Sequence, residues 1–133
     1  MSGLALMEVQ RGLYSKLHGD GVLAGMVSSI YDVVPQHTLL PYVVIGDGAQ
    51  QAVAADGVSI TECRVELQVW TDTGGRKTAL AIMNRIHALL HLGTLSLSGL
   101  QLVLLRVEQA DTALAEQATR VHGTMRVIVT VAE

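Results

Sequence analysis

The chain has 133 residues, 50% of them hydrophobic, and a formal net charge of -3. This length and apolar content suit a single core, so we assign residues 1–133 to one domain. Acidic and basic side chains are mixed along the chain and aromatic residues make up only 3% of it. Because neither a basic stripe nor a stacking platform is present, we expect no specific nucleic-acid partner.

The first predicted element is an amphipathic helix over residues 4–17. Its apolar stripe has spacings of three and four residues and consists of Leu6, Val9, Leu13 and Leu17. Gly19 and Gly21 are expected to end this helix. The stretch between Pro35 and Pro41 is expected to be an irregular connection.

Two strands joined by a long loop are predicted next. The first begins at Pro41 with the β-branched run YVVIG, and the pair Asp47 and Gly48 is typical of a turn. Residues 47–57, DGAQQAVAADG, are small and mostly polar and predict a hairpin loop or arm. Residues 58–71 alternate between two faces. The apolar face holds Cys63, Val65, Leu67 and Val69, and the other holds Glu62, Arg64, Glu66, Gln68 and Trp70.

A second helix and two further strands complete the predicted fold. Asp72 or Thr73 is expected to cap the helix. Its predicted apolar stripe consists of Leu80, Met83, Ile86, Leu89 and Leu90. Residues 100–109 and 120–132 predict strands connected by ADTALAEQAT. This order of elements indicates an α+β fold, a mainly antiparallel sheet of about four strands with helices packed on one face.

One apolar stretch, residues 88–105, has the length of a membrane span and contains no Asp, Glu, Lys or Arg. Glycines and serines interrupt it in the way that turns do, and His91 lies where a helix should end. We therefore expect no membrane span. The mean hydropathy of +0.40 is instead expected to reflect burial against other subunits.

The residues that might carry chemistry are few. His87 and His91 have the spacing that places two imidazoles on one helix face, but Ala88 stands where the zincin motif needs a glutamate. The alternative is that both histidines flank the helix C-terminus. Cys63 is the only cysteine and is expected to be a small buried hydrophobe. We expect no catalytic set, no metal and no cofactor, although a small enzyme or ligand-binding domain built around these histidines stays open as an alternative.

Candidate interface residues lie on the polar face of the second predicted strand, residues 58–71, and in the predicted arm, residues 47–57. Trp70 is a large aromatic residue on a polar face, which indicates either an interface or packing at the edge of the core. The other candidates are polar, and either meet solvent or contact a neighbouring subunit. They are Glu62, Arg64 and Glu66 on the strand and Asp47, Gln50 and Gln51 in the arm.

The arrangement resembles the tail-completion, or tail-terminator, proteins of long-tailed bacteriophages and gene transfer agents. The resemblance extends over nearly the whole chain. It is carried by LYSKL, GVLAGMV, IYDVVPQHTLLPYVVIG with its Pro-Tyr pair, and VELQVWTDTGGRKTALAIMNRIHALL.

This resemblance implies a structural virion protein rather than an enzyme. Such a subunit is expected to form a homo-oligomeric ring, as a hexamer, that caps the tail tube, ends its polymerisation and joins the tail to the head connector. Its implied partners are the tail tube protein and a head-completion or connector protein. The implied location is the virion tail or the gene transfer agent particle, assembled in the bacterial cytoplasm. Another neck or head-completion subunit is the alternative virion role.

Overall fold

A computed structural model of the chain describes residues 4–53, 57, 59–72, 76–115 and 120–133. The elements in chain order are α1 (Ala5–His18), α2 (Gly21–Ala24), β1 (Ile30–Tyr31), β2 (Tyr42–Val53), β3 (Ile60–Thr71), α3 (Lys77–Leu90), β4 (Gln101–Ala115) and β5 (Arg120–Ala132). These strands form one sheet in the order β1-β2-β3-β5-β4. The short strand β1 runs parallel to β2, and the other neighbours are antiparallel. The α+β class is confirmed, with five strands in a mixed sheet rather than about four.

Both long helices cover the same face of the sheet. The apolar face of β3 is fully buried, as predicted, and the odd-numbered residues of β5 from Val121 to Val131 lie beside it. Val9, Leu13 and Leu17 of α1 pack into this core together with residues of α3. Burial of each such side chain stabilises the fold by roughly 1.5–3 kcal/mol, so this one interface determines the architecture.

The buried stripe of α3 differs from the predicted one. Leu80 is 51% exposed, and Leu89 is only partly buried. The residues that face the sheet are Ala79, Ile82, Met83, Ile86 and Leu90. A constant spacing of three drifts around a helix of 3.6 residues per turn, whereas the observed set follows that period. The predicted cap is also wrong for Asp72, because Arg76 is the N-cap residue and makes no side-chain capping bond. Thr73 lies outside the described residues.

The predicted loop at 47–57 is wrong for residues 47–53, which continue β2. Ile45 pairs with Leu67 and Gly48 pairs with Val65, so two residues of β2 oppose a single residue of β3. This is a β-bulge, and it explains the small residues that suggested a turn. A Cβ at Gly46 would lie 3.3 Å from the carbonyl oxygen of Glu66, a close approach. Residues 54–56 of the predicted loop lie outside the described residues.

The connection predicted at 110–119 is also wrong in its first half. Strand β4 extends to Ala115 and pairs with β5 along its length, with register shifts at Leu102/Leu104 and Val107/Gln109. Residues 116–119 lie outside the described part.

Two irregular stretches match the prediction. The chain between Pro35 and Pro41 has no helix or strand. Residues 88–105 finish α3, pass through an irregular segment and enter β4. No helix in the described ranges is long and apolar enough to cross a membrane.

Candidate assembly surfaces

The sheet face opposite the helices, here called the open face, carries Trp70. Its ring stacks on that of His122, with centroids 4.1 Å apart and an interplanar angle of 14°. The Trp70 Nε1 donates a hydrogen bond to Gln68 Oε1 at 3.2 Å. Trp70 is half-buried, so it is both packed at the sheet surface and available to a partner. Its role as an interface residue stays a prediction.

Charged side chains on the open face pair with one another. Arg64 donates to Glu108 at 3.0 Å and to Glu62 at 2.9 Å, and these carboxylates, Glu108 first, raise the pKa of Arg64. Next along β3, Gln68 donates to Glu66 at 3.0 Å. Ile128 lies between Arg64 and Arg106 in the register and is only 1% exposed. Long arginine side chains are suited to covering such an apolar residue. The open face therefore carries charges that are already paired with one another.

The three candidates in the predicted arm separate onto different sides of the sheet. Gln51 lies opposite Glu62 in the register and so belongs to the open face. Gln50 lies on the helix side, where its Oε1 accepts a hydrogen bond from the Leu6 backbone N–H at 3.1 Å. This bond satisfies one of the unpaired N–H groups at the start of α1. Asp47 is exposed at the bulge.

A groove of about 820 Å³ lies on the helix side, between α1 and the β1 segment. Its lining is mainly apolar and includes Leu4, Met7, Tyr14, Tyr31 and Val33, with Ile45 of β2 at its base. Met7 and Val33 are each 82% exposed. Sequence reasoning missed this surface because only one stripe of α1 was considered. The spacing of Leu4, Met7 and Tyr14 is the signal that identifies a second apolar stripe.

One wall of the groove is held by a bidentate ion pair. Arg11 donates to Glu8 at 2.6 Å and to the Ser96 carbonyl oxygen at 2.8 Å. Glu8 also accepts from the Ser98 backbone N–H at 2.6 Å. These bonds, that from Arg11 first, lower the pKa of Glu8 to about 2. The exposed side of α1 is thereby fixed to the segment that precedes β4.

The histidines lie at the C-terminus of α3, as one reading of the sequence predicted. The rings of His87 and His91 stack with centroids 4.6 Å apart. His91 is the C-cap residue, and its Nδ1 accepts a hydrogen bond from the Val107 backbone N–H at 3.0 Å. Among the described residues there is no group of three or more His, Cys, Asp or Glu able to hold a metal. The bond from β4 gives His91 a structural role.

Cys63 is fully buried in the core, as predicted. Burial, and secondarily the charge of Glu62, raises the pKa of its thiol to about 11. A neutral, inaccessible thiol is unreactive.

The described residues thus form a sheet face with internally paired charges and a mainly apolar groove with exposed side chains. Surfaces of this kind are typical of a subunit that assembles with other proteins. The chain matches the family model of the tail completion protein gp17 over residues 11–132 and belongs to that family. It is therefore a structural protein of phage-type tails, and the resemblance predicted from the sequence is confirmed.

A solved structure agrees with the family match. A chain in the structure titled "Virion of native gene transfer agent (GTA) particle" is 26% identical, with a TM-score of 0.89. The alignment covers 99% of this chain and 100% of that one. No curated protein sequence matches.

Proposed function

We propose that this protein forms a closed ring of six copies on the finished tail tube, ends polymerisation of the tube and receives the head connector. The observation that carries the proposal is the near full-length match to a chain of a gene transfer agent particle. Membership in a tail completion family supports a role at the same place in the particle, the end of the tail. The protein is then a component of a virion tail or a gene transfer agent particle.

The proposed partners are the tail tube protein, the head connector and further copies of this chain. A structural role is supported by how the polar residues are used. Arg64, Glu8 and His91 each hold parts of the fold together through hydrogen bonds between different elements. We infer that the protein is not an enzyme, since these polar groups of the described residues stabilise surfaces and do not converge on a reacting centre.

We also propose that the open face takes part in assembly. Trp70, Glu62, Arg64, Glu66 and Gln51 share that face in the strand register. Charges that are already paired lose little side-chain entropy when a partner covers them. Gln50 is not part of this proposed contact, because its side chain caps α1 on the other side.

The test is electron microscopy of particles assembled with and without this protein, scored for tail length and head attachment. Overlong tubes without heads, corrected when the purified protein is added back, are the expected result. Tubes of normal length that lack heads would assign the protein to head joining alone, as in the neck or head-completion alternative. Normal joined tails in its absence would refute the proposed function.

A further inference from the structure

The two lateral edges of the sheet differ in shape. At one edge the groove lies between α1 and β1. At the other, the part of β4 from Glu108 to Ala115, here called the β4 arm, pairs among the described residues with β5 on one side only. Its neighbouring stretch is different, because the Leu105 carbonyl oxygen and the Val107 N–H are bonded to Leu92 and His91. The β4 arm is thus an open strand edge, and an open edge is a template for another chain.

The groove and the β4 arm lie at the same level of the sheet. Ile30 pairs with Val43, Val43 with Val69, Val69 with Gly123, and Gly123 with Thr112, so one transverse row joins the groove to the arm. A closed ring requires that successive copies are not displaced along its axis. If the strands run along that axis, copies that meet within one transverse row fulfil this requirement.

The side of the sheet on which Leu114 lies and the chain direction of β4 also fit a contact with the groove. Leu114 pairs with the core residue Val121, so it projects on the helix side, where the groove lies, and it is 50% exposed. The chain directions of the sheet make β4 antiparallel to β1. An arm that approaches the β1 edge of a second copy therefore continues the sheet in the antiparallel sense.

We propose that the β4 arm of one copy seats against the α1–β1 groove of the next, with Leu114 directed toward the end of the groove formed by Tyr14 and Ile30. The contact is heterologous, since one edge meets a different edge of the neighbour, and its repetition produces a ring where the rotation between copies closes. This inference rests on the proposed ring function and supplies the residues that join its subunits.

The size of the contact determines where it forms. The arm contributes eight residues, Glu108–Ala115, and the groove is lined by 12. A stable interface takes about 20–30 residues on each side. This pairing is smaller, so we expect it to be weak between free copies and to close where the tube holds copies side by side at a high effective concentration. The experiment therefore uses assembled particles.

The test is cysteine cross-linking with a short bismaleimide in particles that carry Tyr14→Cys and Leu114→Cys in the same chain. Both positions are exposed, at 38% and 50%, and the native Cys63 is fully buried. We expect a ladder of covalent oligomers that ends at the full ring. Each single variant should give no ladder, because the contact joins two different surfaces.

The matched control is Tyr14→Cys with Ala113→Cys. Ala113 is exposed on the same arm, next to Leu114, but pairs with His122 on the open face. Because successive strand residues point to opposite faces, we expect about a tenfold lower yield of cross-linked oligomer. Equal yields from the two pairs would overturn the proposed seating.

The remaining outcomes separate this inference from the proposed function. Covalent dimers from Tyr14→Cys alone would indicate a two-fold contact and overturn it. So would a cross-link from Tyr14→Cys to the tube protein, or the absence of a ladder in particles whose tails are terminated normally. In that last case the proposed terminator function is retained and only the proposed contact is refuted. If tails are also normal without the protein, the function itself fails.

Discussion

The buried face of α3 can be tested by a pair of substitutions, Ile86→Ala and Leu80→Ala. Ile86 is 0% exposed in the core, whereas Leu80 is 51% exposed. Replacing a buried Ile by Ala removes apolar burial and leaves a cavity, at a cost of about 2–5 kcal/mol of unfolding free energy. Replacing the exposed Leu is expected to change that free energy by about 0.5 kcal/mol or less.

The corresponding shifts in melting temperature follow from chain length. An unfolding entropy of about 2.1 cal/mol/K per residue gives about 0.28 kcal/mol/K for 133 residues. Ile86→Ala should therefore lower Tm by about 7–18 °C, and Leu80→Ala by about 2 °C or less.

Thermal melts followed by far-ultraviolet circular dichroism measure both shifts, and urea titration provides a second estimate. The two variants remove similar apolar side chains from one helix, so each controls for the other. If Leu80→Ala lowers Tm as much as Ile86→Ala does, α3 presents the stripe suggested by its spacing of three, and the packing described above is wrong.

Three further predictions concern charge, assembly and thiol reactivity. Arg85 and the Leu23 N–H lower the pKa of Asp20 from 3.8 to about 2, so its contribution to stability is present above pH 4 and lost between about pH 4 and 2. The Tm difference between the native chain and Asp20→Asn should shrink as the pH falls from about 4 to 2. A difference that stays constant would contradict a stabilising role of the Asp20 carboxylate. Trp70→Ala should retain native circular dichroism but lower incorporation into particles, while Trp70→Phe, which keeps an aromatic ring over His122, should incorporate better; equal incorporation of native and Ala chains would remove Trp70 from the interface. Cys63 should resist maleimide at pH 8 until denaturant is added, and rapid labelling of the folded chain would show that this part of the core opens.

The sequence was most informative where one local period determines burial. Residues of β3 alternate because one face meets the helices and the other does not, so the buried residues from Cys63 to Val69 were predictable. The first stripe of α1 was predictable for the same reason, with Val9, Leu13 and Leu17 all buried.

The errors occurred where a distant partner decides the local structure. Asp47 and Gly48 have turn chemistry, yet pairing with β3 accommodates them in a bulge and extends β2 to Val53. The weak strand formers around Ala110 are held in β4 by β5. Strand propensity depends on such context, so neither result could be obtained from local composition.

The candidate sites show the same division. The open-face residues of β3, including Trp70, followed from the alternation that identified the core. The groove could not be predicted in this way. It combines the second stripe of α1 with Val33 and Ile45, and these three parts come from separate stretches of the sequence. Only the tertiary fold brings these residues together.

Exposed apolar residues lie at both lateral edges of the sheet. Leu4, Met7 and Val33 are 65%, 82% and 82% exposed at the groove, and Leu114 is 50% exposed on the opposite edge. Apolar surface on both edges of the sheet favours head-to-tail contact between copies. A single apolar patch would favour a two-fold dimer, in which both surfaces are used at once and growth ends at two copies. The distribution of apolar surface, more than its amount, is therefore the property that suits this chain to the ring we propose.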